Sequence, residues 1–191
     1  MNNDYPNWFA VSAQWYFEQH MPQFKDKKVN ALQIGAYTGD ASLWMVENAL
    51  THPESRLFDV DTWLGSDEAP HKEFNWSDVE EVYQEKLADH IKSGKIIPKK
   101  MTSKEFLMKN DEKFDFVYID GNHEAYAVLE DFILAWDHMN PGCIIAFDDY
   151  TWGLDLPIHL RPALAIDVIR NCYIDKTAVF DVGSQVWIRK L

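Results

Sequence analysis

The sequence predicts an α/β fold: a doubly wound, mostly parallel sheet, closed by an antiparallel pair and covered by helices on both faces. Three observations carry this. Short apolar runs alternate with stretches of helical periodicity along the chain. The run CIIAFDD is continuously apolar up to its acids, the mark of a strand buried on both faces. Five of the expected strands end in glycine, hydroxyl or acidic residues, so the polar side chains collect at one edge of the sheet.

The elements follow in order. Trp8, Val11 and Trp15 stand at helical spacing, predicting an amphipathic helix that packs this face on the body and makes residues 1–25 a helical cover. KKVNALQIGAYTGD reads as strand and tight turn, and ASLWMVENAL as the helix after it. SRLFDVD is a second strand ending in acid, followed by the turn-like WLGSDEAP. A helix over Ser77–Lys92 places Val79, Val82, Tyr83 and Leu87 on one face. KIIPKK is a short strand whose end is expected at Pro98. FDFVYID, rich in aromatic and β-branched residues, is a strand stopped by Asp120-Gly121. Leu129, Phe132, Ile133 and Trp136 mark the next helix, which Asn140-Pro141-Gly142 is expected to end before CIIAFDD. A loop at 151–162 leads to a helix near Ala163–Asn171, and KTAVFDVGSQVWIRKL forms two strands about a glycine.

Composition narrows the function. The 191 residues make one large domain, with 47% hydrophobic and 14% aromatic residues and no linker or repeat that would divide it. Two cysteines, no basic-then-apolar leader and no run of the roughly 20 apolar residues a membrane span needs point to a soluble protein of the reducing cytoplasm. A formal net charge of −13, with only short basic runs at Lys25–Lys28 and Lys99–Lys104, disfavours nucleic acid as a partner. A small-molecule substrate is expected, and a homo-oligomer is compatible with the sequence.

The chemistry belongs at the strand ends. Gly35-x-x-x-Gly39 allows a sharp reversal, although any tight turn would fit that spacing. It is not a GxGxxG pattern: Tyr37 stands where backbone would have to approach a pyrophosphate. Asp40 at the helix start can cap the helix and would repel a phosphate there. These features favour a nucleoside ligand without phosphate over a dinucleotide. Asp59 and Asp61, about 20 positions on, are placed to accept hydrogen bonds from a ribose diol. Asp120, Asp148 and Asp149 end strands expected to be neighbours. Three carboxyl groups that close call for compensation, which a hard cation such as Mg²⁺, Mn²⁺ or Ca²⁺ would supply. His123 can reach the same cleft as a general base, or equally serve as a surface or capping residue. Trp63 and Trp152 follow strand-end acids and could wall a ligand pocket or simply pack.

These motifs resemble a known family. NWF, ALQIGAYTGDASLW, LTHPESRLFDVDTWLGSDE, FDFVYIDGNHEAYAVLEDFILAW, NPGCIIAFDDYTW and GSQVWIRK together are similar to class I S-adenosylmethionine-dependent methyltransferases, and within them to methyltransferase domain 24. The resemblance implies a Rossmann-like sheet of seven strands with the last antiparallel, and S-adenosylmethionine as cofactor. It implies that Gly35, Ala36, Tyr37 and Gly39 form the cofactor turn, that Asp61 contacts the ribose and that Ser103 lies near the adenine. The pairing of IDG with FDDY is similar to the metal triad of catechol-type and macrolide O-methyltransferases, which implies metal roles for Asp120, Asp148 and Asp149. Gln33 departs from the family's acid in the first strand, and Asp149 stands where catechol-type enzymes often carry Asn.

The expected reaction is in-line methyl transfer to a small-molecule or sugar hydroxyl. Asp120, Asp148 and Asp149 hold the metal, and His123 or a carboxylate takes the proton. The N-terminal helix and the loop at 151–162 are expected to cover the cleft, with His159 and Arg161 facing an anionic or sugar-like substrate. The rivals are an NAD-dependent oxidoreductase, a methyltransferase-fold binding protein without catalysis, and a metal-dependent enzyme that transfers no methyl group.

Overall fold

The computed structural model describes residues 5–66 and 74–191. The first four residues of the expected cover and the second half of the turn read at 63–70 lie outside them. Seven strands form one sheet: β1 (Asn30–Ile34), β2 (Arg56–Asp61), β3 (Ile96–Lys100), β4 (Phe114–Ile119), β5 (Met139–Phe147), β6 (Thr177–Val182) and β7 (Val186–Lys190). Their order is β3-β2-β1-β4-β5-β7-β6. All neighbouring pairs are parallel except β5–β7 and β6–β7. This is the Rossmann-like arrangement the sequence predicts. β4 and β5 do lie side by side, with Ile119 opposite Phe147, so the acids that follow them meet.

One face of the sheet is packed by α1 (Gln14–His20), α2 (Asp40–Asn48), α3 (Trp76–Lys86) and α4 (Ala88–Lys92). The other is packed by α5 (Ser103–Leu107), α6 (Ala125–Trp136) and α7 (Pro162–Cys172). Two apolar layers result, and the strand residues alternate between them. Phe116 and Tyr118 serve the first layer, and Val117 and Ile119 the second.

Four local expectations need correction. The N-terminal helix buries Phe9, Ala13, Phe17 and Met21, leaving Val11 and Trp15 exposed and Trp8 at the surface over a cavity. The apolar spacing there is four residues, which a π-helical turn at Phe9–Ala13 keeps on one face. The helix expected at Ser77–Lys92 is two, interrupted at Leu87, whose ψ of 9° lies outside the helical range. Pro98 does not end its strand but sits in the middle of β3. That strand is an edge, where a missing N–H leaves no ladder bond unmade. Asn140-Pro141-Gly142 lies inside β5, in the stretch where its register with β4 shifts, and α6 has already ended at Trp136.

Candidate active site

The polar ends of β1 to β5 open into one cavity of about 620 Å³. Gln33 to Tyr37, Asp61, Ser103, Asp120 to His123, Asp148 and Asp149 all line it, joined by Trp8 and Trp152 from the two covering segments. Its size is that of a small-molecule site.

The turn after β1 is held by close approach on both sides. A Cβ on Gly35, whose φ is +88°, would stand 2.0 Å from the Asp120 carbonyl oxygen, so only glycine lets β1 and β4 end this close together. Gly39, φ +81°, faces the side chains of Leu87 and Tyr83 with no room for a methyl. Asp61 fastens the turn from the neighbouring strand. Its Oδ2 accepts the backbone N–H groups of Ala36 at 2.7 Å and Tyr37 at 3.0 Å, and its Oδ1 accepts that of Trp63 at 2.7 Å. A carboxylate has about four acceptor positions, so one remains for a donor in the cavity.

Gln33 explains its own departure from an acid. Its Nε2 donates to the Gly35 carbonyl at 2.8 Å, and its Oε1 accepts the Ser42 hydroxyl at 3.3 Å. A carboxylate could not make the first of these bonds.

Two expected roles change here. Asp40 does not cap α2, whose N-cap is Gly39; its carboxylate instead pairs with Lys86 at 2.7 Å and accepts the Thr38 hydroxyl at 2.6 Å. Trp63 is 2% exposed and does not line the cavity. Its indole donates to the Tyr37 carbonyl at 2.9 Å and its ring packs on Tyr83, so it supports the turn from beneath. The left-handed Trp63 backbone, φ +48°, turns the side chain inward.

The acidic end brings the three strand-end acids to the cavity together with His123. Asp120, His123 and Asp149 each present a ligand atom, all within 4.8 Å of one another. His123 Nε2 lies 2.8 Å from Asp149 Oδ2, and its ring packs at 4.6 Å against Trp152. Asp148 is not in this group. It is 7% exposed, its Oδ2 accepts the hydroxyl of fully buried Tyr118, and its Oδ1 accepts the Asp149 N–H at 2.8 Å. Asp148, which also lines the cavity, holds the Asp149 backbone, and His123 stands beside Asp120 and Asp149. Asp149 has φ +56°, a left-handed conformation that Asp and Asn adopt more readily than other side chains.

Burial, then the nearby Asp148 and Asp149 charges, push the Asp120 carboxyl well above the usual carboxylate range. Burial and then Asp149 push Asp148 up to about 6. The donor set, two carboxylates and an imidazole, suits a divalent cation such as Mn²⁺ or Mg²⁺, whose charge would relieve this repulsion.

A family described as a methyltransferase domain matches residues 32–150, from β1 to the acids after β5. The chain belongs to this methyltransferase family. Solved structures share the fold at low identity. The O-methyltransferase TomG from Streptomyces achromogenes, in complex with SAM, is 17% identical with a TM-score of 0.69, covering 95% of this chain and 82% of its own. A putative rRNA-methylase from Clostridium thermocellum is 13% identical with a TM-score of 0.70, covering 94% of this chain and 96% of its own. MycE of the mycinamycin biosynthetic pathway, in complex with Mg and SAH, is 18% identical with a TM-score of 0.59, covering 92% of this chain and 48% of its own. Among curated proteins, none matches the chain.

On this methyltransferase fold, sequence reasoning missed Asp131 and Trp76, both of which line the cavity. Asp131 interrupts the apolar face of α6, between Val128, Phe132 and Ala135, and an acid on a core-facing stripe was the available signal. Nothing in the sequence singles out Trp76 from the other tryptophans. The loop at 151–162 reaches the cavity through Trp152, whereas His159 is exposed and Arg161 donates to the Leu154 carbonyl at 3.4 Å; neither lines it.

Proposed function

We propose that this chain is an S-adenosylmethionine-dependent O-methyltransferase that acts, with a divalent cation, on a small-molecule or sugar hydroxyl. The observation that carries the reading is a single cavity with two differently equipped ends. One holds Asp61 and the turn amides, and the other holds Asp120, His123 and Asp149. Asp61 keeps an acceptor position for a ribose hydroxyl. Tyr37 and Asp40 disfavour a pyrophosphate, which speaks against the NAD-dependent alternative.

The lining also has a sign. Asp40, Asp61, Asp120, Glu130, Asp131, Asp148 and Asp149 border the cavity, and among the described residues no Lys or Arg does. This suits a sulfonium cofactor and a neutral or amine-bearing acceptor rather than an anionic one. Together with the net charge of −13 it also argues against an RNA acceptor.

The cofactor supplies an electrophilic methyl group, and a bound cation would acidify the acceptor hydroxyl. The residues position and deprotonate. Asp120 and Asp149 would hold the cation. His123, whose Nε2 is held by Asp149 at 2.8 Å and whose ring packs on Trp152, would take the hydroxyl proton on its other ring nitrogen. Trp8 and Trp152 border the cavity from the covering segments and limit water there.

Calorimetric titration with S-adenosylhomocysteine, in metal-free buffer and with Mg²⁺, tests the reading. Micromolar binding is expected. Asp61→Ala should weaken it at least about tenfold, or 1.4 kcal/mol. Absence of binding by the wild type in both buffers would overturn the assignment.

A further inference from the structure

The N-terminal helix is apolar on two faces, and one of them meets solvent. Its inner residues Phe9, Ala13, Phe17 and Met21 follow one another at four-residue steps and are buried on the sheet. The same step places Val11 and Trp15 together on the outer face, where they are 87% and 60% exposed. From Tyr5 to Phe17 the chain has no charged residue, although 26% of the sequence is charged, and Glu18 ends the stretch. An exposed apolar strip of this kind marks a contact surface.

The strip begins inside the active-site cavity. Trp8, Val11 and Ser12 line the cavity, and Trp15 lies further out, about 10 Å along the helix from Trp8. Trp15 is held in place: its ring packs edge-on against Tyr16 at 4.9 Å, and the Tyr16 hydroxyl accepts the Ser184 N–H at 2.9 Å. From α6, Tyr126 lines the same cavity and is 66% exposed. A molecule with its hydroxyl at His123 and Asp149 that also follows the helix would meet acids at one end and uncharged groups at the other.

We propose that the methyl acceptor is amphipathic: a hydroxylated head enters the cavity, and an apolar chain or ring system leaves it along Val11 and Trp15. This rests on the methyltransferase reading above and names the substrate class for it. Continuity decides the occupant, because Trp8 and Val11 belong to the strip and to the cavity lining at once. A net charge of −13 also repels a second copy of the chain and an anionic lipid surface, the other two bodies that could cover the strip. Burial of the apolar part against Val11 and Trp15 supplies binding energy away from the reacting atoms and holds the hydroxyl in position for transfer.

The test titrates the protein with methyl and octyl β-D-glucoside below micellar concentrations, followed at the tryptophan indole N–H resonances. The two probes share a neutral hydroxylated head and differ only in the tail. Wild type should bind the octyl compound at least about tenfold tighter. Val11→Ser and Trp15→Ser, both at exposed positions, should each reduce that ratio at least about threefold. Ile174→Ser, at a 67% exposed site that does not line the cavity, should leave it intact. A wild type that binds neither probe or both alike would overturn the proposal, as would a ratio kept in the Val11 and Trp15 variants or lost equally in the Ile174 variant. Dimers in sedimentation that Trp15→Ser dissociates, without an octyl preference, would overturn it and give the strip to a second copy. Titration of the same samples with S-adenosylhomocysteine separates the two readings. Cofactor binding without a tail preference removes this proposal alone, whereas a tail preference without cofactor binding overturns the methyltransferase assignment and with it the role of the ligand as acceptor.

Discussion

Asp59, in the middle of β2, has no exposed surface, and its Oδ2 accepts the Tyr83 hydroxyl at 2.7 Å while its Oδ1 has no hydrogen-bond partner among the described residues. Burial raises its carboxyl to about 7 from an ordinary value near 4. The folded chain therefore holds a proton that the unfolded chain releases between about pH 4 and pH 7. Its contribution to stability is full below that window and is lost as pH rises through it. Asp59→Asn should flatten the fall in stability between pH 5 and pH 8, by up to about 3 kcal/mol. Urea unfolding of both proteins at the two pH values checks this, and equal slopes would contradict it. Residue chemistry was partly legible beforehand. Asp61, Asp120 and His123 were read as strand-end residues, and all three line the cavity. The separate duties of Asp148 and Asp149 were not legible, because adjacent residues of one type differ only once the backbone turns one inward.

At the scale of elements, the N-terminal helix shows what periodicity leaves open. Its aromatic residues satisfy two faces, Trp8-Val11-Trp15 and Phe9-Ala13-Phe17, and a tryptophan's size favours the wrong one. Packing decides. Phe17 meets the rings of Phe116, Tyr118 and Trp187 within 6.0 Å, a pocket of strand residues far apart in the chain. Phe17→Ala should cost about 3–5 kcal/mol, whereas Trp15→Ala, 60% exposed, should change stability by no more than about 0.5 kcal/mol. Chemical denaturation of the pair settles which face is buried. The same helix joins the far edge of the sheet: Tyr16 accepts the Ser184 N–H at 2.9 Å, and His20 lies 2.6 Å from Asp181. The break at Leu87 and the continuation of β3 through Pro98 were likewise invisible locally. Each depends on what the element packs against rather than on its own residues.

For the whole molecule, the acids of the cavity form a concentrated part of a net charge of −13. On the proposed reading, a cation bound there would relieve this repulsion. Mn²⁺ at millimolar concentration should raise the melting temperature by several degrees, since about 1 kcal/mol corresponds to 2–4 °C at this size. Asp120→Asn should raise the melting temperature of the metal-free protein, because it removes a charge that burial and two neighbouring acids oppose, and it should abolish most of the Mn²⁺ response. Differential scanning calorimetry with and without Mn²⁺ distinguishes this from general screening, which would leave the response in the variant unchanged.

The α/β class, the parallel order of strands and helices, the glycine turn after β1 and the strand-end acids were all determined by the sequence alone. They depend on periodicity, on glycine's access to positive φ and on the end of a strand at which polar residues gather, and each is a local property. Tertiary structure alone decided which face of the first helix is buried, that Trp63 supports the turn while Trp152 borders the cavity, that His123 stands beside Asp120 and Asp149, and that Asp131 meets Ser103 at the cavity. Those outcomes depend on distances between segments 25 to 168 residues apart, and such distances are fixed only when both layers pack on one sheet.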